Sequence, residues 1–307
     1  MRTPVVVTET KAAQTAMKTT RKRPPYLFLV PFFLFYCLFW VVPLIAGLNL
    51  SMRDSVSGEF IGLANYARVL SLSNTSFWRA LYNTSYYLVG TLITIIPAAF
   101  ALALLLRNAY SRLQGLIRFL LFVPALMPPI VMGLLFVYLF SGRYGLLNNV
   151  LLAPFGSPNL DWLKDPKLIK PALIILGIWR WTGFVTMFIW AGLDGIPQAY
   201  YDAARTEGAN RFQIFRYVTV PLLRPILLFA ALFLVFDAFV LFSGAHAILG
   251  TGGGALESGL LIVNLIYRTA FYGAGGNFGV ATAISYIIVP ILVAAVWLFL
   301  RLKSSED

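Results

Sequence analysis

The sequence is poor in reactive side chains. It has one cysteine, Cys37, and one histidine, His246. A single cysteine excludes an intrachain disulfide framework and any Cys-rich metal site. A single imidazole excludes a site built on two. Charged residues are 12% of the chain, against about 25% in a soluble domain. One histidine and scattered acids do not form the polar cluster that a membrane enzyme requires. No Gly-x-x-x-x-Gly-Lys-Ser/Thr segment is present to cradle nucleotide phosphates. "TGGGA" at 251–255 lacks the following lysine and reads as a flexible loop. The expectation is therefore no catalytic residue, no metal and no cofactor bound by this chain.

Apolar residues fill the gap. They make up 59% of 307 residues, more than a soluble core of this size can bury. The composition implies a membrane protein. A helix rises about 1.5 Å per residue, so about 20 apolar residues cross the hydrocarbon layer. Six runs qualify, at 26–50, 81–106, 116–140, 171–193, 225–243 and 280–300. The expected fold class is all-α, with six transmembrane helices. The first run is too long, and too poor in small residues at its end, for a signal peptide. Residues 1–25 read as a basic, disordered tail and 301–307 as a second short tail.

Net charge is +12. A basic excess suits nucleic acid, but here it follows the span ends. The two tails and the loops at 107–118 and 194–224 carry fifteen Lys and Arg, against eight in the loops at 51–80, 141–170 and 245–279. The positive-inside rule then puts both termini in the cytoplasm, and no nucleic-acid partner is expected.

One loop differs from the rest. "YYDAARTEGANRFQIFRYVTVPLLRP" at 200–225 sets arginines and acids between two apolar spans. Tyr200 to Glu207 favours helix. Gly208 suits a helix C-terminus needing positive φ. Asn210 can cap a second helix to Val218, and Pro221 is expected to break it and start the next span. Small Ala203, Ala204 and Ala209 keep the hairpin slim enough to enter a cleft on another protein. The alternative is an amphipathic helix lying on lipid headgroups.

The spacing Asp202-Ala-Ala, Glu207-Gly-Ala, then a hydrophobic-Pro ending resembles the "EAA" loop of permease subunits in ATP-binding-cassette importers. Asp202 stands where that family has Glu, and Glu207 where it has Asp. Both keep the charge and change the reach by one methylene. The resemblance runs from about residue 28 to 300. "FIGLANYARVL" (60–70), "NTSYYLVG" (83–90), "GRYGLLNNVLL" (142–152), "FDAFVLF" (236–242) and "LIVNLIYRTAFYGAGGNFGVATAI" (261–284) resemble the carbohydrate-uptake branch, above all the larger permease subunit of maltose transporters and the glycerol-3-phosphate type. After the fifth span that branch reads Thr-Gly-Gly-Pro or Gly-Gly-Gly-Pro; this chain departs with "TGGGALE".

The resemblance implies the type I importer fold in the inner membrane. It implies a second, similar permease subunit, two ATPase subunits that bind the ATP, and an extracytoplasmic solute-binding protein. It assigns docking of the ATPase to Tyr201, Asp202, Ala203, Ala204, Glu207, Gly208, Ala209 and Phe215. The implied cargo is a sugar or oligosaccharide. An acidic or phosphorylated solute, such as a glycerophosphodiester, is the first alternative. An ion-coupled secondary transporter is the second, although such proteins usually carry more intramembrane carboxylates and an internal repeat.

Ionisable groups within a span cost about 2.5–3.5 kcal/mol on insertion scales. Two stand here, Arg180 and Asp237. Arg180 falls about 3 Å and Asp237 about 4.5 Å to the outer side of their spans' centres. Either they form a buried ion pair, with or without snorkelling of the arginine, or they line a solute path. Aromatic faces stack on sugar rings and guanidinium forks bind hydroxyls or anions. By the maltose-permease resemblance, Trp179, Arg180, Trp181, Phe184 and Asp237 are the candidate solute contacts. Pro97, Pro124, Pro128 and Pro129 interrupt the second and third spans, and the third is expected to face the path. Gly177, Gly183 and Gly192 are expected to permit close helix packing.

Overall fold

A computed structural model describes residues 26–107, 111–156, 160–272 and 276–304. The expected tail at 1–25 lies outside the described residues, as do 305–307 of the second. The chain divides into two units, 1–47 and 48–307. In the first, a short 3₁₀ turn at Tyr26–Leu29 leads into α1 (Val30–Ser51). Aromatic rings stack along it at i, i+4, as Phe32 on Tyr36, Tyr36 on Trp40 and Phe35 on Phe39.

The second unit is helical, and among the described residues it has no strand, only one isolated bridge between Arg53 and Phe60. After α2 (Ala64–Leu70), the long α3 (Thr75–Arg107) buries one stripe: Phe77, Ala80, Thr84, Tyr87, Thr91, Ile95, Ala99 and Ala103. Steps of three and four place these on a single helix face. Pro97 lies inside this helix without ending it.

The third apolar run is not one straight helix. It forms α4 (Ser111–Leu126) and α5 (Pro129–Leu139), bent by 98°. Pro124 sits within α4, and the break falls at Pro128–Pro129. A residue before proline avoids the helical region, and Pro128, itself before a proline, is extended at φ −55°, ψ 129°.

α6 (Ile169–Asp194) and the short α7 (Gln198–Thr206) precede α8 (Arg211–Val240). The expected break at Pro221 is absent. A wide, π-type turn at Phe215–Thr219 carries the helix through it. Two other such turns, Cys37–Val41 and Leu147–Leu152, also end two residues before a proline, Pro43 and Pro154. The proline ring clashes with the carbonyl four residues back and offers no N–H. Widening the turn moves that carbonyl aside, so the helix bulges instead of stopping. α9 (Ser243–Leu249), α10 (Ile262–Phe271) and α11 (Phe278–Ser304) complete the unit.

The glycines of α6 work by close approach. A Cβ on Gly183 would strike the backbone carbonyl of Leu121, and one on Gly192 the side chains of Ile226 and Leu223. α6 therefore sits tightly against α4 and α8. One apolar cluster joins α3, α6 and α8 through Ile95, Ala99, Ile189, Leu193, Leu223 and Leu234.

The second unit has two ends. At the end opposite the 194–224 loop, called distal here, Glu257 is clamped by Ser76 Oγ at 2.9 Å, Arg268 at 2.9 Å and Arg79 at 3.9 Å. Asn83 Nδ2 donates to the carbonyls of Glu257 (2.8 Å) and Leu260 (3.0 Å). Leu256 and Glu257 both take positive φ, 53° and 56°. For side-chain-bearing residues that costs of order 1–3 kcal/mol each, and this net of bonds holds them there. The strained pair belongs to the segment where the sequence departs from the resembled family.

Candidate functional site

α5, α6, α8 and the start of α9 line a cavity of about 440 Å³ through Pro129, Arg180, Trp181, Phe233, Phe236, Asp237, Val240, Leu241, Phe242 and Ser243. Arg180 and Asp237 share it, although no side-chain N–O distance within 4.0 Å joins them among the described residues. The ion-pair expectation is thus not met as a direct contact. Asp237 Oδ2 accepts a hydrogen bond from Tyr87 Oη at 3.0 Å. The indole N–H of Trp181 lies near the same carboxylate without a well-formed hydrogen bond. The Arg180 guanidinium stacks 4.4 Å from the Trp181 ring, and its Nε is buried with no hydrogen-bond partner.

Gly177 makes the Tyr87 bond geometrically possible. A Cβ there would lie 2.6 Å from Tyr87 Oη. α6 therefore carries a bare backbone where α3 reaches across to α8, and three helices meet at one carboxylate.

Of the five expected solute contacts, Arg180, Trp181 and Asp237 line the cavity. Trp179 and Phe184 do not. Trp179 lies on another face of α6, 5.5 Å from Phe136. Phe184 packs behind the wall against Phe233 at 4.9 Å and Phe188 at 4.8 Å. Successive helical residues are turned by about 100°, so three neighbours cannot all face one space. Pro129 is the part of the broken third run that reaches the cavity. Tyr87, Phe233, Phe236 and Phe242 were not singled out from sequence. Tyr87 had no distinguishing signal, because Tyr82, Thr84, Ser85, Tyr86, Thr91 and Thr94 place hydroxyls along the same run.

The 194–224 loop folds as helix, turn, helix. α7 ends at Thr206, and Gly208 takes φ +80°. Ala209 N–H returns to the Ala204 carbonyl at 3.0 Å. Asn210 and Gln213 form a reciprocal capping box, 2.9 and 2.7 Å, that opens α8. The expected docking residues divide in two. Tyr201 is buried under Arg107, which lies 5.0 Å from its ring, and Phe215 packs on Phe100 at 5.3 Å. These two anchor the loop to the bundle. Asp202, Ala203, Glu207 and Gly208 are exposed, while Ala204 and Ala209 are half-buried. Asp202 pairs with Arg205 at 3.1 Å and accepts from Gln198 at 3.2 Å. Sequence reasoning passed over Phe212 and Tyr217, aromatic side chains that are each 72% exposed here.

Residues 95–303 match the family described as binding-protein-dependent transport system inner membrane component. The chain belongs to that family. As a permease subunit it is a multi-pass membrane protein and not itself an enzyme. It is 30% identical to the arabinooligosaccharides transport system permease protein AraP of Bacillus subtilis (strain 168), over 90% of this chain and 88% of the relative. It is 32% identical to the lactose transport system permease protein LacF of Rhizobium radiobacter, over 92% and 94%. In fold it is similar to a chain in the crystal structure of a bacterial ABC transporter involved in the import of the acidic polysaccharide alginate, with TM-score 0.78, 23% identity and coverage of 91% and 94%. The all-helical permease is therefore of the type I importer fold. α8 joins its two candidate regions: about 22 residues, or about 33 Å of helix, separate Phe215 from Asp237 without a break.

Proposed function

We propose that this permease forms half of the path by which a sugar or oligosaccharide crosses the membrane, and that the solute touches Arg180, Trp181 and Asp237, with Tyr87 holding the Asp237 carboxylate from behind. The cavity carries the proposal. It offers a guanidinium and a carboxylate beside flat aromatic faces, the donors, acceptors and stacking surfaces that a polyhydroxylated ring uses. The names of AraP and LacF, given for arabinooligosaccharides and lactose, support that class of cargo. Arg180 shares the cavity with Asp237, so their charges offset one another. That favours a neutral sugar over the acidic or phosphorylated alternative.

The 194–224 loop is the docking element for an ATPase. Tyr201 and Phe215 fix its base, and Asp202, Ala203, Ala204, Glu207, Gly208, Ala209 and the exposed Phe212 and Tyr217 face the partner. A second permease subunit closes the path, two ATPase subunits bind the ATP, and an extracytoplasmic protein delivers the solute. The loop and both termini face the cytoplasm, in line with the excess of Lys and Arg on that side. Movement at the loop passes along α8 to the cavity and exchanges inward-open and outward-open states. Reconstituting the complex in lipid vesicles tests this: sugar should stimulate ATP hydrolysis and accumulate inside. Accumulation driven by a proton or sodium gradient without ATP would overturn it.

A further inference from the structure

At the distal end, aromatic rings continue beyond the cavity. Phe242 lines the cavity and stacks on His246 at 5.0 Å. It also meets Tyr267 of α10 at 4.9 Å, and Tyr267 meets Phe271 at 5.0 Å and Tyr272 at 5.8 Å. Phe271 and Phe278 then pack edge to face at 5.4 Å. The inner rings are half-buried and the outer ones exposed, with Phe271 62% and Tyr272 50% exposed. The row thus runs from the charged cavity to the surface. The only imidazole of the chain sits within it, and its Nδ1 is buried with no hydrogen-bond partner among the described residues.

Two ordinary explanations fit less well. Aromatic belts at a membrane interface present separate rings to headgroups; these rings pack on one another and start at a cavity wall. A plain apolar core closes on itself, whereas this row opens to the surface at Phe271 and Tyr272. Exposed ring faces beside the Tyr267 and Tyr272 hydroxyls suit a molecule with apolar C–H faces and a hydroxyl rim. The 440 Å³ cavity is at the small end of the roughly 300–1,000 Å³ usual for small-molecule sites, so an oligosaccharide of several units must extend out of it. Phe242 belongs to both spaces and fixes the direction.

We infer that Phe242, His246, Tyr267 and Tyr272 form an outer subsite that holds further sugar rings of an oligosaccharide whose leading ring occupies the Arg180–Asp237 cavity. This rests on the proposed sugar path and adds a chain-length preference to it. The test uses the complete complex in vesicles with two pairs of probes, maltose with maltopentaose and arabinobiose with arabinopentaose. Tyr267→Leu and Tyr272→Ser should raise KM for the transported pentasaccharide about 5- to 10-fold, equivalent to losing part of one ring-stacking contact, while KM for the disaccharide stays within about 2-fold. Tyr267→Phe keeps the ring and should stay near wild type. Tyr272 is exposed, so its substitution reports even where Tyr267→Leu fails to assemble. Equal loss for both lengths, or no change for either in both variants, overturns the outer subsite and places the rings against lipid or the second permease. If the wild-type complex moves none of the four sugars yet moves an anionic solute, the sugar path itself falls and the subsite with it.

Discussion

The cavity and the 194–224 loop handle charge in opposite ways. In the cavity two ionisable groups sit within spans, where water cannot compensate them, and each meets an aromatic: Arg180 the Trp181 ring and Asp237 the Tyr87 hydroxyl. On the loop, Asp202 and Arg205 pair with each other in the open, with side chains 59% and 63% exposed. Exposed pairs of that kind contribute about 0–1 kcal/mol. The loop also exposes two large aromatic side chains, Phe212 and Tyr217. Charge is thus enclosed among aromatic rings in the cavity and open to solvent on the loop, and α8 runs from one region to the other.

Breaking the cavity should have the largest effect. Arg180→Ala is expected to cut uptake at least about 100-fold, the scale of losing a charge-assisted contact of about 3 kcal/mol. Pull-down with the ATPase should be unchanged, because the loop is intact. Gly208→Pro attacks the loop. Proline fixes φ near −65°, whereas Gly208 sits at +80° and donates its N–H to Arg205 O at 3.0 Å. Uptake should drop about 10-fold while ATP hydrolysis continues, which paired assays of both rates would read. Tyr87→Phe sharpens the comparison by leaving shape intact and removing one bond to a charged group, worth about 1.5–3 kcal/mol. It should raise KM for the solute and leave ATPase docking unaltered.

The smallest effect concerns pH at the distal end. Asp54 accepts N–H bonds from Ser57 (2.9 Å) and Val56 (3.0 Å), and these hold its carboxyl below the ordinary value. A carboxyl with a depressed folded value stabilises the turn above its unfolded value of 3.8 and loses that as pH falls through the folded one. Amide exchange of the 54–58 turn should therefore be insensitive to this group between about pH 5 and 8 and speed up only in stronger acid.

Much of this organisation is legible in the residues. Apolar run length located the helices. Gly208 and Asn210 announced the loop's turn and cap, because each meets a local backbone demand. Arg180 and Asp237 were visible as charges in the wrong solvent. What stayed hidden depends on rotation about a helix or on distant partners. Trp179 reads like Trp181 in sequence, yet helical phase turns it away, whereas Phe184 shares the face of Arg180 but lies one turn along α6, packed against Phe233 and Phe188. Tyr87 matters only because α3 crosses α6 at the height of Gly177, whose role in close packing was legible but whose partner was not. Proline carried two meanings: Pro128–Pro129 break a helix, while Pro221 merely widens one. Composition does not separate a double proline from a single one that a π-type turn can absorb.

The central claim is that motion enters at the 194–224 loop and reaches the cavity along α8. Its most direct test is a photo-crosslinker at Phe212, with uptake measured in the same vesicles. The account predicts a crosslink to the ATPase subunit whose yield changes with bound nucleotide. Normal, ATP-dependent uptake with no ATPase captured from position 212, or from position 217, would contradict it.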